Sequence, residues 1–149
     1  MTAVIKTKAY ALIRRNHEIL VEAIPDGKGV IIGYRPLGGS VEFGETASVA
    51  VAREFVEELN VVIQVTGLFN VAEEIFEYDG KPCHEVMFIY EAEFADKTLY
   101  EQDAIEAMDT EHNISVKAFW VNPNHMPDGI RLFPADMAAE LRKNHGCCH

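Results

Sequence analysis

Along the chain the spacing of apolar and polar positions changes from strand-like to helical and back, and those changes mark its elements. Thr7–Arg14 reads as a strand, and Asn16-His17 turns the chain into a second strand, Glu18–Ala23. Pro25-Asp26-Gly27-Lys28-Gly29 has strong turn chemistry. Val30–Gly33 predicts a short strand, Pro36-Leu37-Gly38-Gly39 a bend, and Ser40–Phe43 an extended segment. From Thr46 to Leu59 the reading is helical: Thr46 can cap, the run lacks Gly and Pro, and Ala and Glu favour the state. Val61–Tyr78 and Glu85–Phe94 read as hairpin arms joined across Asp79-Gly80-Lys81-Pro82. Val86, Phe88 and Tyr90 share one face of the second arm, with Met87 and Ile89 on the other. Ala95–Asn113 is polar, acidic and poorly periodic, which predicts a mobile loop with one short helical turn. Ile114–Val121 is a late strand carrying the only tryptophan, Trp120, and Asn122–Gly129 is loop. Pro134–Asn144 is a terminal helix with Pro134 in its first turn. Strands with one helix between them and a second helix last predict an α/β chain, an α/β/α sandwich around a mixed sheet, in one domain over residues 1–149.

Composition narrows the function classes. The 149 residues suffice for one domain with a real core, and 48% hydrophobic with 25% charged residues is ordinary for a soluble globular protein. No apolar run approaches the ~20 residues of a membrane span, and Lys6 and Lys8 interrupt the apolar N-terminal stretch, unlike a signal peptide. Cytoplasmic residence is the expectation. The net charge of −11 opposes binding to nucleic-acid polymers and anionic membranes, and suits a site whose sign is inverted by bound cations. Three cysteines, two of them adjacent, do not make a disulfide framework. Cys147, Cys148 and His149 lack the spacer of a structural zinc site and read as a frayed terminus. Cys83-His84, beside a turn, reads as incidental.

The chemistry concentrates between Gly39 and Val61, GSVEFGETASVAVAREFVEELNV. At about 100° per residue, Arg53, Glu54, Glu57 and Glu58 fall within one arc of the helix. Ser48, Val49, Ala52, Phe55, Val56 and Leu59 fall on the opposite arc and are expected to pack. Like charges three and four residues apart cost a helix a few tenths of a kcal/mol per pair. A hard divalent cation, for which carboxylate oxygens are the preferred ligands, would relieve that cost. A lone acidic run is more often a solvated face, but here a glycine, a further glutamate and an arginine stand at set spacings from it.

Those residues resemble the signature of the Nudix hydrolase family, G-x5-E-x7-R-E-U-x-E-E-x-G-U with U apolar. Gly39, Glu45, Arg53, Glu54, Phe55, Glu57, Glu58 and Val61 match it. Asn60 stands where the family has glycine and is the next residue best suited to the left-handed helix end; Leu37 stands where many members have proline. The resemblance implies the same sandwich fold, and a pyrophosphohydrolase that cleaves a small nucleoside diphosphate derivative by direct attack of water. It implies that Glu54, Glu57 and Glu58, joined by the Gly39 carbonyl, ligate Mg²⁺ or Mn²⁺, with Glu54 alternatively the base that orients the water. Arg53 would hold the glutamates, with Glu45 its structural partner. The family usually adds an acid from outside the motif, for which Glu111 is the first candidate and Glu101, Asp103, Glu106 and Asp109 are rivals.

Substrate choice is less legible. Tyr34, Phe76, Tyr78 and Phe133 are candidate stacking partners for a base, although such aromatics more often pack in cores. Tyr78, 17 residues past Val61, resembles a tyrosine placement of dinucleoside polyphosphate hydrolases. No P-loop, Rossmann glycine pattern or serine-hydrolase elbow occurs. Two other classes stay open: a catalytically silent module of the same fold that senses a nucleotide, and an isomerase of isoprenoid diphosphates. Retention of all three helix glutamates argues against the first, and the short chain against the second. The oligomeric state is left open, a homodimer included.

Overall fold

The computed structural model describes residues 3–109 and 113–145, with backbone alone for 144 and 145. Glu111, Cys147, Cys148 and His149 lie outside the described residues. Among those described, nine strands form one mixed sheet and two α-helices lie on its opposite faces. The alternation of β1 (Ile5–Arg15) explains that arrangement. Ala9, Ala11 and Ile13 join one buried cluster with Phe55 and Leu59 of α1 (Ala47–Leu59). Tyr10 and Leu12 join a second with Met137 and Leu141 of α2 (Ala135–His145). Successive side chains of one strand therefore feed two cores, and the sandwich follows from the two-residue period. Phe55 and Phe94 are the largest fully buried side chains, each contributing on the order of 2–3 kcal/mol by burial.

The pairing around β1 opens the sheet. On one side β1 runs parallel to β6 (Lys81–Phe94) from Ile5 to Ile13. On the other it pairs first with β4 (Leu37–Ser40), through Lys8 to Ala11, and then with β2 (Glu18–Pro25) at Arg14 and Arg15. β2 leads on to β3 (Ile31–Arg35), which meets β9 (Arg131–Leu132) in parallel. β2 also pairs with β8 (Ile114–Val121), and β7 (Ala104–Asp109) adds to β8. β5 (Ile63–Tyr78) forms the long hairpin with β6 through Asp79 and Gly80, both at positive φ as a two-residue turn requires.

Three expectations are corrected. The extended segment after the bend is Leu37–Ser40, not Ser40–Phe43, and Phe43 lies in a turn. Gly38 permits this, because a Cβ there would run into the backbone of Ala9. Second, Ala95–Asn113 carries the short helical turn, at Lys97–Glu101, but also the strand β7. Its acidic residues masked the alternation, in which Ile105 and Asp109 are buried while Glu106 and Met108 are exposed. Trp120 donates to the Gln102 carbonyl (2.9 Å), and the Arg15 guanidinium lies 4.5 Å over its ring while donating to the carbonyls of Tyr100 and Gln102. Those contacts pin the segment entering β7. Third, the packed face of α1 is Ala50, Val51, Phe55 and Leu59, whereas Val49 and Val56 are 56% and 47% exposed. No helix among the described residues is long and apolar enough to cross a membrane.

Candidate functional site

Both ends of α1 are fixed locally. The Thr46 hydroxyl accepts from the Val49 N–H (3.4 Å), the expected N-cap. Asn60 takes the left-handed conformation (φ 55°), and the N–H groups of Asn60 and Val61 close on the carbonyls of Val56 and Phe55. Asparagine thus ends the helix as expected of it. The helix phase then sets the two parts of the site apart. Glu58 follows Val51 by seven residues, so it points within about 20° of that buried side chain, and Glu54 is its neighbour one turn back. Arg53 and Glu57 lie further round, toward solvent.

Arg53 is the hub of the outer part. Its Nε and Nη2 donate to the two oxygens of Glu45 (3.1 and 2.7 Å). Nη1 donates to Glu54 Oε1 and Glu57 Oε2 (both 3.0 Å), and Nη2 also to the Ser40 carbonyl (3.1 Å). All five donors of the guanidinium are engaged. Arg53 holds its proton more tightly than an ordinary arginine, chiefly through Glu45, whose own carboxyl is lowered by the same bonds and by the Glu42 N–H.

The inner part lacks such compensation. Glu54 and Glu58 neighbour each other, and burial raises both carboxyls above the ordinary range. Glu58 is pushed up to about 8, by burial first and then by the charges of Glu22, Glu54 and Asp109. Glu22 on β2 is itself raised by burial, offset by Arg35 at 3.7 Å. Gly39 gives Glu54 its space, since a Cβ there would lie 2.6 Å from Glu54 Oε2. This donor set of crowded carboxylates over a glycine cradle fits a hard divalent cation. Among the described residues no three such groups yet converge at coordination spacing, because Glu57 and one oxygen of Glu54 face Arg53.

Of the acids considered outside the motif, the structure brings Asp109 to Glu58: it is 4% exposed and ends β7 against α1. Glu101 and Asp103 are exposed, and Glu106 pairs with Lys117 at 3.8 Å. Sequence reasoning missed Glu22 and Arg35. A single charge inside the apolar run Ile19-Leu20-Val21-Glu22-Ala23-Ile24 was the available signal for Glu22.

Beside this cleft, toward the α2 face, lies a cavity of about 420 Å³ whose wall includes Tyr10, Arg35, Phe76, Tyr78, Cys83 and Phe133. It adjoins the acids through Arg35, which stands 3.7 Å from Glu22. Three of the four candidate aromatics are therefore on its wall; Tyr34 instead packs edge-on against Phe119. The Tyr78 hydroxyl donates to the Pro25 carbonyl (2.6 Å), tying the hairpin tip to the β2–β3 loop. His84 pairs with Glu73 at 2.9 Å.

Comparison with known proteins adds the family. The NUDIX domain model matches residues 6–141. Among solved structures, a MutT Nudix hydrolase from Burkholderia pseudomallei aligns with TM-score 0.65 and 20% identity, over 93% of this chain and 97% of that one. An ADP-ribose pyrophosphatase from Streptococcus suis aligns at 0.54 and 13%, over 98% and 96%. A UDP-X diphosphatase aligns at 0.61 and 14%, over 97% of this chain and 66% of that one. At these identities the structural likeness speaks to fold. A search of curated proteins gave no match.

Proposed function

The chain belongs to the Nudix hydrolase family and is a hydrolase acting on phosphoanhydride bonds, and on that premise we propose that it cleaves a small nucleoside diphosphate derivative by direct attack of water. The observation that carries this reading is the inner carboxylate group, Glu54 and Glu58, half-buried beside Glu22 and Asp109 and braced from outside by Arg53. Glu54, Glu57 and Glu58, with the Gly39 carbonyl, would hold the divalent ion, Mg²⁺ or Mn²⁺. Such an ion neutralises phosphate oxygens and lowers the pKa of a bound water. Glu54 either joins that ligand set or orients the attacking water as base. Arg53 keeps Glu54 and Glu57 in register with the helix, so that the carboxylates need little reorganisation during the reaction.

The neighbouring cavity supports a small substrate. Its volume of about 420 Å³ suits one nucleoside-sized group, and the aromatic wall suits a planar ring. ADP-ribose and UDP-linked compounds, named for two of the structural neighbours, are the first substrates to test, with dinucleoside polyphosphates as comparison. The groups that crowd the cleft are carboxylates suited to holding an ion and orienting water, so no covalent intermediate is expected. Hydrolysis in heavy-oxygen water under single-turnover conditions, read by mass spectrometry, should place the label on one phosphate product in the first cycle. A phosphorylated or nucleotidylated enzyme would overturn direct water attack.

A further inference from the structure

Arg35 stands where the cavity meets the acid cleft, and it differs from Arg53 in what it leaves unused. It closes β3 immediately before Pro36, which sends the chain into β4. Its Nε is buried and has no hydrogen-bond partner among the described residues, because the carboxylate of Glu22 stops at 3.7 Å. The side chain as a whole is nevertheless 41% exposed and forms part of the cavity wall. Glu22 and Glu85 bring negative charge to it, and Arg35 and Lys6 are the cations a phosphate chain would meet along this wall. A guanidinium is a planar fork that matches phosphate oxygens in pairs, which an ammonium does not.

We propose that Arg35 is a substrate-positioning residue: it grips the phosphate chain of a nucleoside diphosphate derivative where that chain passes from the cavity, which seats the nucleoside, into the acid cleft. The assignment rests on the phosphoanhydride reading of the site. The resting contact with Glu22 involves the buried Nε, at 3.7 Å, so the exposed part of the fork can take phosphate while Glu22 holds Arg35 in place from behind. On a surface of net charge −11, such a fork lets this one wall attract what the rest repels.

Calorimetry on the chelator-treated protein tests this without turnover, using the four common nucleosides and their 5′-diphosphates as probes. Wild type should bind at least one 5′-diphosphate more tightly than its nucleoside, by about 10- to 100-fold, the worth of charge-assisted paired hydrogen bonds. Arg35→Gln should lose that preference. Arg35→Lys keeps a cation beside Glu22, should stay folded, and should recover the preference only in part. In turnover with the ion present, both variants should raise KM more than they lower kcat. Bound diphosphate should also slow alkylation of Cys83 on the same wall, followed by peptide mass, in wild type but not in Arg35→Gln. A wild type that binds each diphosphate no tighter than its nucleoside, or variants that match wild type in binding and KM, would overturn the role of Arg35. Neither result bears on the labelling experiment that tests the reaction itself.

Discussion

At the Arg53 end of the site, Glu45, Glu57 and one oxygen of Glu54 all accept from a single guanidinium. At the Glu58 end, one helical turn on, Glu54, Glu22 and Asp109 gather about a carboxyl whose proton is held until about pH 8. The groups are chemically alike and most belong to one helix. What separates them is helix phase: Arg53 and Glu57 point outward, while Glu54 and Glu58 point toward the fork in the sheet beside Val51. Carboxylates with a fixed cation form a brace. Carboxylates pressed together without one store a repulsion that a bound ion would relieve. In the proposed mechanism the outer part therefore positions, and the inner part, joined by Glu57, holds the ion.

Removing the brace should have the largest effect. Arg53→Ala strands three carboxylates that are held by a side chain only 23% exposed. It should cost about 2 kcal/mol in urea unfolding, below the range for fully buried pairs because of that exposure. Activity should fall on the order of 10²- to 10³-fold, as preorganisation is lost. Loss of activity with unchanged stability would make Arg53 a direct participant rather than a brace.

Neutralising the inner part should separate activity from stability. Glu58→Gln should lower activity about 10²-fold. In metal-free protein it should raise Tm by a few degrees at about pH 8, and have little effect at about pH 4.5. The sign follows from linkage. A carboxyl raised from 4.5 to about 8 binds more protons in the folded state across that window, so its contribution is fully present below the lower value and is lost as pH rises through the upper one. Glutamine removes that loss. A Glu58→Gln variant that is destabilised at the higher pH would break the contrast between the two ends.

Binding of the ion should depend chiefly on the inner pair, Glu54 and Glu58. Millimolar Mg²⁺ or Mn²⁺ should raise the wild-type Tm by several degrees through mass action, and the Glu54→Gln/Glu58→Gln double variant should not respond. An equal response in both proteins would move the ion elsewhere. The smallest effect belongs to the helix end that carries Glu58. Asn60→Ala forces a Cβ-bearing residue without a compensating amide into the left-handed region at φ 55°, and should cost about 1 kcal/mol. Asn60→Gly should be near neutral in the same unfolding measurement.

Much of the site was legible because its signal is local. Gly39, Glu45, Arg53, Glu54, Glu57 and Glu58 lie on the end of β4, the turn after it and one helix, where spacing along the chain translates directly into geometry. The cap at Thr46 and the left-handed end at Asn60 followed for the same reason. The strand β7 was not legible, because its acids obscured a short alternation whose buried members, Ile105 and Asp109, pack against residues far away in the chain. Asp109 stood among five candidate acids, and nothing in its neighbourhood of sequence set it above Glu106, which pairs with Lys117 instead. Val49 and Val56 show the converse: apolar and correctly phased for one face, they are exposed because the sheet meets the helix along Val51, Phe55 and Leu59.

Sequence by itself therefore determined the helix, its caps and the brace of carboxylates around Arg53, since each depends on residues within a few turns of one another. The tertiary structure alone decided that Glu22 and Asp109 would press on Glu58, that Arg35 would stand between cleft and cavity, and that Phe76, Tyr78 and Phe133 would share a wall. Those groups come from α1, four strands (β2, β3, β5 and β7) and the segment before α2, brought together where β1 exchanges β4 for β2 as its partner. The choice of partner is made by the packing of two cores on opposite faces of β1, a long-range outcome that no local spacing encodes.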